Sequence, residues 1–161
     1  MISRTKFQTD EAAILRLFSA AGIQNVSQIA LLGDGEFNAV YRVFAKERDY
    51  VLKIAPPDDA PVMTYERNMM QSEVLWYAVL REHTRIRVPE VYAADFSRSI
   101  LPVPYFIMEY LPGEPLNKAA LSPAERAEAE AMLARMAAEL HAIRSERFGY
   151  VQNGLHESWY A

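Results

Sequence analysis

Lys53 sits in the run Tyr50-Val51-Leu52-Lys53-Ile54, flanked on both sides by residues that should be buried. A single lysine in a strand alternates out to solvent unless something inside the fold needs it. Glu73 supplies that need. It is the last charge before the apolar run Val74 to Leu80 and shares a helical face with Met70 and Tyr77, so it points towards whatever that helix packs on. A carboxylate there is costly unless paired, and a lysine is its natural partner; Glu66, on the same face, competes for the role. A third element is Gly33-Asp34-Gly35-Glu36-Phe37-Asn38-Ala39-Val40. It lies between two strands and not ahead of a helix, which argues against a dinucleotide-binding turn. A two-glycine hairpin is either an ordinary turn or a flap over phosphates, because missing Cβ atoms let the backbone approach closely. The fourth element, Tyr105-Phe106-Ile107-Met108-Glu109-Tyr110-Leu111-Pro112-Gly113, is an apolar strand running into a Pro-Gly turn.

These residues need elements to hold them. The spacing of Ile14, Leu15, Leu17 and Phe18 predicts a short amphipathic helix from Thr9 to Ala21, with Thr9 or Asp10 as cap and Gly22 as stop. Three antiparallel strands follow, at Ile29 to Leu32, Ala39 to Phe44 and Tyr50 to Ala55, the last two joined by the charged turn Lys46 to Asp49. Beyond the breaker cluster Ala55 to Pro61, a helix is expected from Thr64 to about Glu82, apolar almost all round from Val74 to Leu80 and so buried on more than one side. Val88 to Phe96 and Pro104 to Leu111 are two further strands. Ser122-Pro123-Ala124-Glu125 is a capping box with proline at the first helical position. It opens a long helix to about Arg144 whose Met132, Leu133, Met136, Leu140 and Ile143 form one stripe. Ser145 to Ala161 has no period and reads as irregular.

Composition closes off several classes. The 161 residues carry a formal charge of −4, with 51% hydrophobic and 24% charged side chains, a balance that folds. No two Lys or Arg residues are adjacent, so there is no footprint for a nucleic-acid backbone. The longest uncharged apolar run, Ser99 to Met108, is broken by Pro102 and Pro104, whereas a membrane span needs about 20 residues. With no cysteine there are neither disulfides nor thiol metal sites, and no targeting segment is legible, so the expected compartment is the cytoplasm.

Taken in order, the glycine hairpin, the strand lysine, the helix glutamate and the apolar strand with its turn resemble the N-terminal lobe of the protein-kinase-like fold. From about Leu31 to Tyr150 the chain is specifically similar to the aminoglycoside phosphotransferase family and its small-molecule kinase relatives. Gly33, Gly35 and Val40 match the kinase glycine loop, and Asn38 stands where its third glycine would be. The resemblance implies that Lys53 grips the α and β phosphates of ATP or GTP and that Glu73 orients it. It also implies that Met108 to Leu111 is the hinge, where adenine bonds the backbone carbonyl of Glu109 and the N–H of Leu111. Pro112-Gly113-Glu114-Pro115-Leu116 and the ending Leu140-His141-Ala142-Ile143 before Phe148-Gly149 look more like aminoglycoside phosphotransferases than protein kinases. His141 then has a structural role.

The implied fold class is α+β: a five-stranded antiparallel sheet with one packed helix (residues 1–111, with the N-terminal helix), then the hinge continuation and first long helix of a second lobe (residues 112–161). Kinase chemistry also needs an aspartate to accept the substrate proton, an asparagine, and a second aspartate for magnesium. The last aspartate is Asp95, none of the 66 residues after it is Asp, and His156-Glu157-Ser158 lacks a downstream asparagine. No catalytic or metal-binding residue is therefore assigned, and magnesium is expected only in a full-length homologue. The expected function is the nucleotide-binding front portion of a phosphotransferase acting on a small-molecule hydroxyl, inactive by itself. Two alternatives stand: a non-catalytic nucleotide-binding module, and an interaction module that self-associates through the helix Ser122 to Arg144.

Overall fold

The computed structural model describes residues 6–32 and 37–159. Asp10 opens helix α1 (Glu11–Ala20): its carboxylate accepts the Ala13 N–H at 2.6 Å, so of the two expected caps Asp10 is the one used. The helix stops as expected. Ile23 N–H reaches Phe18 carbonyl and Gly22 N–H reaches Ser19 carbonyl, a closure that needs the left-handed φ of +75° at Gly22.

Strands β1 (Val26–Leu31), β2 (Ala39–Ala45), β3 (Asp49–Ile54), β4 (Val91–Asp95) and β5 (Tyr105–Glu109) form one antiparallel sheet in the order β1-β2-β3-β5-β4. β1 starts three residues before the expected Ile29, and β4 and β5 are shorter than the apolar runs that announced them. The two-residue period divides the sheet cleanly. Ala39, Val43, Tyr50, Leu52, Ile54, Tyr105 and Ile107 face one side, where Ala13, Ile14, Leu17 and Phe18 of α1 and the loop residues Leu101 and Val103 complete a buried core. Val40, Lys53 and Phe106 are cross-strand partners, as are Arg42, Val51 and Met108, and these rows alternate with the α1-facing rows, so they belong to the opposite face. That second face carries a smaller core of Ala55, Phe106 and Met70, joined by Val74, Tyr77, Val91, Phe96 and Met108.

Helix α2 (Met69–His83) corrects two expectations. It begins five residues after Thr64, because Thr64–Glu66 form a separate 3-10 turn whose Glu66 carboxylate caps the Met63 N–H at 2.7 Å. Asn68 then takes a left-handed φ of 58°, which breaks any continuous helix and suits asparagine. Nor is α2 buried on several sides. Leu75 and Trp76 are exposed, at 44% and 41%, because only the Met70-Val74-Tyr77 face meets the sheet.

Helix α3 (Pro123–Ala142) starts at the expected capping box, with Glu125 carboxylate accepting from the Ser122 N–H and hydroxyl at 2.8 and 2.7 Å. None of its residues is buried, and Met132, Leu133 and Leu140 of its stripe are exposed. The tail, expected to be irregular, is instead organised. A 3-10 turn at Val151–Asn153 docks on the start of α2, where Gln152 accepts from Ser72 hydroxyl at 2.7 Å and donates to the Tyr65 carbonyl at 2.8 Å. Tyr150 stacks on Tyr65 with ring centroids 5.7 Å apart.

Two substitutions separate core from surface in this arrangement. Phe18→Ala, which empties a site with no solvent exposure, should cost about 3–5 kcal/mol in urea unfolding. Leu140→Ala on the exposed α3 stripe should cost under about 0.5 kcal/mol. Equal losses from the two would contradict the placement of the core on α1 and not α3.

Candidate functional site

β3 carries Lys53 in the middle of the sheet, with β2 on one side and β5 on the other. Strand alternation sets its side chain opposite the Leu52 and Ile54 core, on the face that α2 covers. Glu73 sits one turn into α2, beyond Met70, whose buried side chain seats the helix on Phe106 and Ala55. The two charges meet: Lys53 Nζ donates to Glu73 Oε1 and Oε2, both at 2.7 Å. Side-chain exposures of 17% and 26% mark a pair that is partly covered yet still open to a ligand. Phe106 floors the pair, its ring centroid 5.6 Å from Lys53 Nζ.

Glu66 does not compete, being committed to the Met63 amide. Tyr77 does participate, although the sequence reading gave it no function. Its hydroxyl donates to Glu73 Oε1 at 2.7 Å, and its ring stands edge-on to Phe106 at 6.3 Å. Burial first, and the Glu73 bond second, push the Tyr77 phenol well above its ordinary value. The signal for this contact was the spacing of four between Glu73 and Tyr77, which places both on one helical face.

At the opposite end of β3 lies the strand end Met108-Glu109 with Tyr110 and Leu111 following. Glu109 N–H bonds the Glu90 carbonyl at 2.8 Å and Tyr110 N–H the Asp49 carbonyl at 3.4 Å, so backbone bonds pin this segment from both sides. Side chains pin it again. Glu109 carboxylate accepts from Arg87 and from the Glu90 N–H. The Arg42 guanidinium pairs with Asp49, donates to Tyr110 hydroxyl at 3.1 Å, and lies 3.9 Å over the Tyr110 ring centroid. Arg42 and Tyr110 were both missed, since nothing local relates residues 68 positions apart. Leu111 is exposed, at 37%.

Val40, half-buried, is the cross-strand partner of Lys53. Asn38 with Phe37 lines a cavity of about 340 Å³ together with Glu73, Met70, Ala55, Pro104 and Arg67. The fold thus brings Val40, Lys53 and Glu73 together, with Asn38 and Glu73 on one cavity and Met108 to Leu111 at the strand's other end. Gly33 and Gly35 lie outside the described residues. Among the described residues, no group of three His, Asp or Glu side chains is placed to hold a metal ion. No helix among them is long and apolar enough to cross a membrane. Chemically, the arrangement offers an ammonium clamped by a carboxylate at one end of a strand and a fixed backbone edge at the other.

A family model described as the phosphotransferase enzyme family matches residues 28–157. Three solved structures share the fold. A Ralstonia eutropha protein described as an aminoglycoside phosphotransferase is 18% identical with a TM-score of 0.63, over 84% of this chain and 39% of its own. A Haemophilus somnus protein described as a fructosamine-3-kinase is 19% identical with a TM-score of 0.57, over 91% and 48%. A microcompartment-associated aminopropanol kinase is 22% identical with a TM-score of 0.52, over 87% and 42%. The chain therefore spans less than half the length of each of these three structures. Among curated proteins none matches the chain.

The pinned segment has a pH signature. The Arg87 bond, aided by the Glu90 N–H, holds the Glu109 carboxyl below its ordinary value of 4.5. A carboxyl lowered on folding adds stability above that value and loses it as the pH falls through the lower folded one. The gap in urea midpoint between wild type and Arg87→Met should be widest above about pH 5 and shrink below about pH 4. A gap that grows on acidification would contradict the assignment.

Proposed function

Because the chain belongs to the phosphotransferase enzyme family, we propose that it holds the nucleotide in an ATP- or GTP-dependent transfer of phosphate to a hydroxyl of a small molecule. The carrying observation is the ion pair of Lys53 with Glu73, 2.7 Å to each carboxylate oxygen, on the face of the sheet opposite α1. An ammonium has three N–H groups, and two directed at Glu73 leave a third for a phosphate oxygen. Glu73 fixes where that third N–H points, and a preoriented donor costs little to use when charge moves onto the transferred group. Val40 and the Met108 to Leu111 segment take the base in this reading, through apolar contact and through the Glu109 carbonyl and Leu111 N–H. The glycine pair Gly33 and Gly35 and the adjoining Asn38 cover the phosphates.

Magnesium chemistry finds no fitting donor set among the described residues, so no step is assigned to it here. No aspartate follows Asp95 to accept the substrate proton. The residues of this chain bind and orient the donor, and turnover by this chain alone is not expected. Neighbours described by aminoglycoside, fructosamine and aminopropanol share hydroxyl-bearing acceptors, which supports a small-molecule hydroxyl as the acceptor class. The expected compartment is the cytoplasm. A second reading rests on α3, whose exposed Met132, Leu133 and Leu140 suit an interaction module that self-associates.

Calorimetry tests the nucleotide reading. ATP should bind the chain weakly, and Lys53→Ala should weaken it by a further factor of about 10 to 100, the effect of one or two lost charge-assisted hydrogen bonds. Undiminished affinity in a folded Lys53→Ala variant would overturn it, and Lys53-dependent phosphoryl transfer would overturn the expected inactivity. Sedimentation at high protein concentration tests the second reading, which a strictly monomeric chain removes.

A further inference from the structure

We infer that Tyr77 is a positioning residue for the phosphate-gripping pair, its hydroxyl keeping the Glu73 carboxylate aimed at Lys53 while the ammonium turns towards a phosphate. The inference rests on the nucleotide reading above. Glu73 Oε1 accepts from both Lys53 and Tyr77, at 2.7 Å each, while Oε2 accepts from Lys53. A phosphate that takes the third N–H offers the ammonium more negative charge than a carboxylate does, so its arrival pulls the ammonium away from its two bonds to Glu73. Were Lys53 the sole donor to Glu73, drawing it away would free the carboxylate to change rotamer, and the orientation would be lost at the moment of use.

Tyr77 prevents this because its bond does not involve the strand. It lies four residues along α2 from Glu73, so the bond is internal to the helix and survives any movement of Lys53. The hydroxyl itself is held by its ring, which stands at 65° to Phe106, a residue with no exposure. Phe106 is also the cross-strand partner of Lys53 and lies beneath its ammonium. One buried ring therefore sets the positions of both donors to the carboxylate. The raised phenol keeps its proton to donate throughout the neutral range. A tyrosine present only to fill space would need its ring and not its hydroxyl, which gives the two roles different consequences.

Tyr77→Phe removes the hydroxyl and keeps the ring. The first measurement needs no nucleotide: brief acetic anhydride treatment of the full chain, with acetylation of Lys53 read by mass spectrometry against exposed Lys46 in the same molecule. Loosening Glu73 frees the Lys53 amine, so the Lys53 to Lys46 ratio should rise about threefold in Tyr77→Phe, towards the value in Glu73→Gln, for the loss of one hydrogen bond. An unchanged ratio in a Tyr77→Phe chain that melts like wild type, alongside a raised one in Glu73→Gln, would overturn the inference. The second measurement compares ligands by calorimetry. Tyr77→Phe should weaken ATP about fivefold and leave adenosine, which has no phosphate, unchanged. Equal losses for ATP and adenosine, or no loss for either, would overturn the role with phosphate. A wild-type chain that binds no ATP removes the nucleotide reading, and the acetylation ratio still decides whether Tyr77 holds Glu73.

Discussion

An ammonium set on the middle strand of a sheet beneath a helix is costly unless that helix brings it a carboxylate. Much of this fold follows from that requirement. Lys53 must lie on the face opposite α1, which fixes the register of β3 against β2 and β5, and Glu73 must face the sheet, which fixes the rotation of α2. Met70 and Phe106 set the distance between the two layers by packing beneath the pair. Replacing a covered ion pair with apolar residues of like volume is often neutral or stabilising. A pair kept this close, yet 17% and 26% exposed, is better explained by what it can hold than by what it adds to stability.

The ends of β3 complement each other. Towards its start, Arg42, Asp49, Tyr110, Arg87 and Glu109 form two charged clamps on the segment after β5, so backbone groups there keep their directions without a ligand. Towards its end, the chain passes through Ala55 and three prolines before reaching α2, and a cavity opens between that passage and Glu73. The fixed edge and the open space thus lie at opposite ends of one strand. Both clamps draw on residues far from the segment in sequence, which makes the edge a product of the folded sheet.

The tail and the long helix show opposite behaviour for a shared reason. The turn at Val151–Asn153 lacks any periodicity, yet it is docked by Gln152 and by the Tyr150 stack on the approach to α2. Helix α3 has the clearer pattern and a full capping box, yet none of its residues is buried. Amphipathic spacing shows that a face can be covered; polar and aromatic partners in reach decide what is covered. Ser72, one residue before Glu73, is the buried contact through which the tail meets the ion-paired helix.

The sequence by itself determined whatever depends on neighbours a few positions away. A cap at Thr9 or Asp10, the Ser122 cap, the Gly22 stop, five β-rich runs and the shared face of Glu73 and Tyr77 are all local consequences of backbone geometry. It also led to the Lys53 and Glu73 pairing, because a carboxylate turned into an apolar face demands a cation and one lay on the preceding strand. Where α2 begins was not legible: the left-handed Asn68 and the Glu66 cap compete with a helical pattern that is continuous on paper. The exposure of Leu75 and Trp76, the Arg42 clamp on Tyr110 and the docking of Gln152 were decided only by tertiary structure. The Arg42 clamp and the Gln152 docking join groups 68 to 87 residues apart within hydrogen-bond distance, and chain proximity carries no record of that.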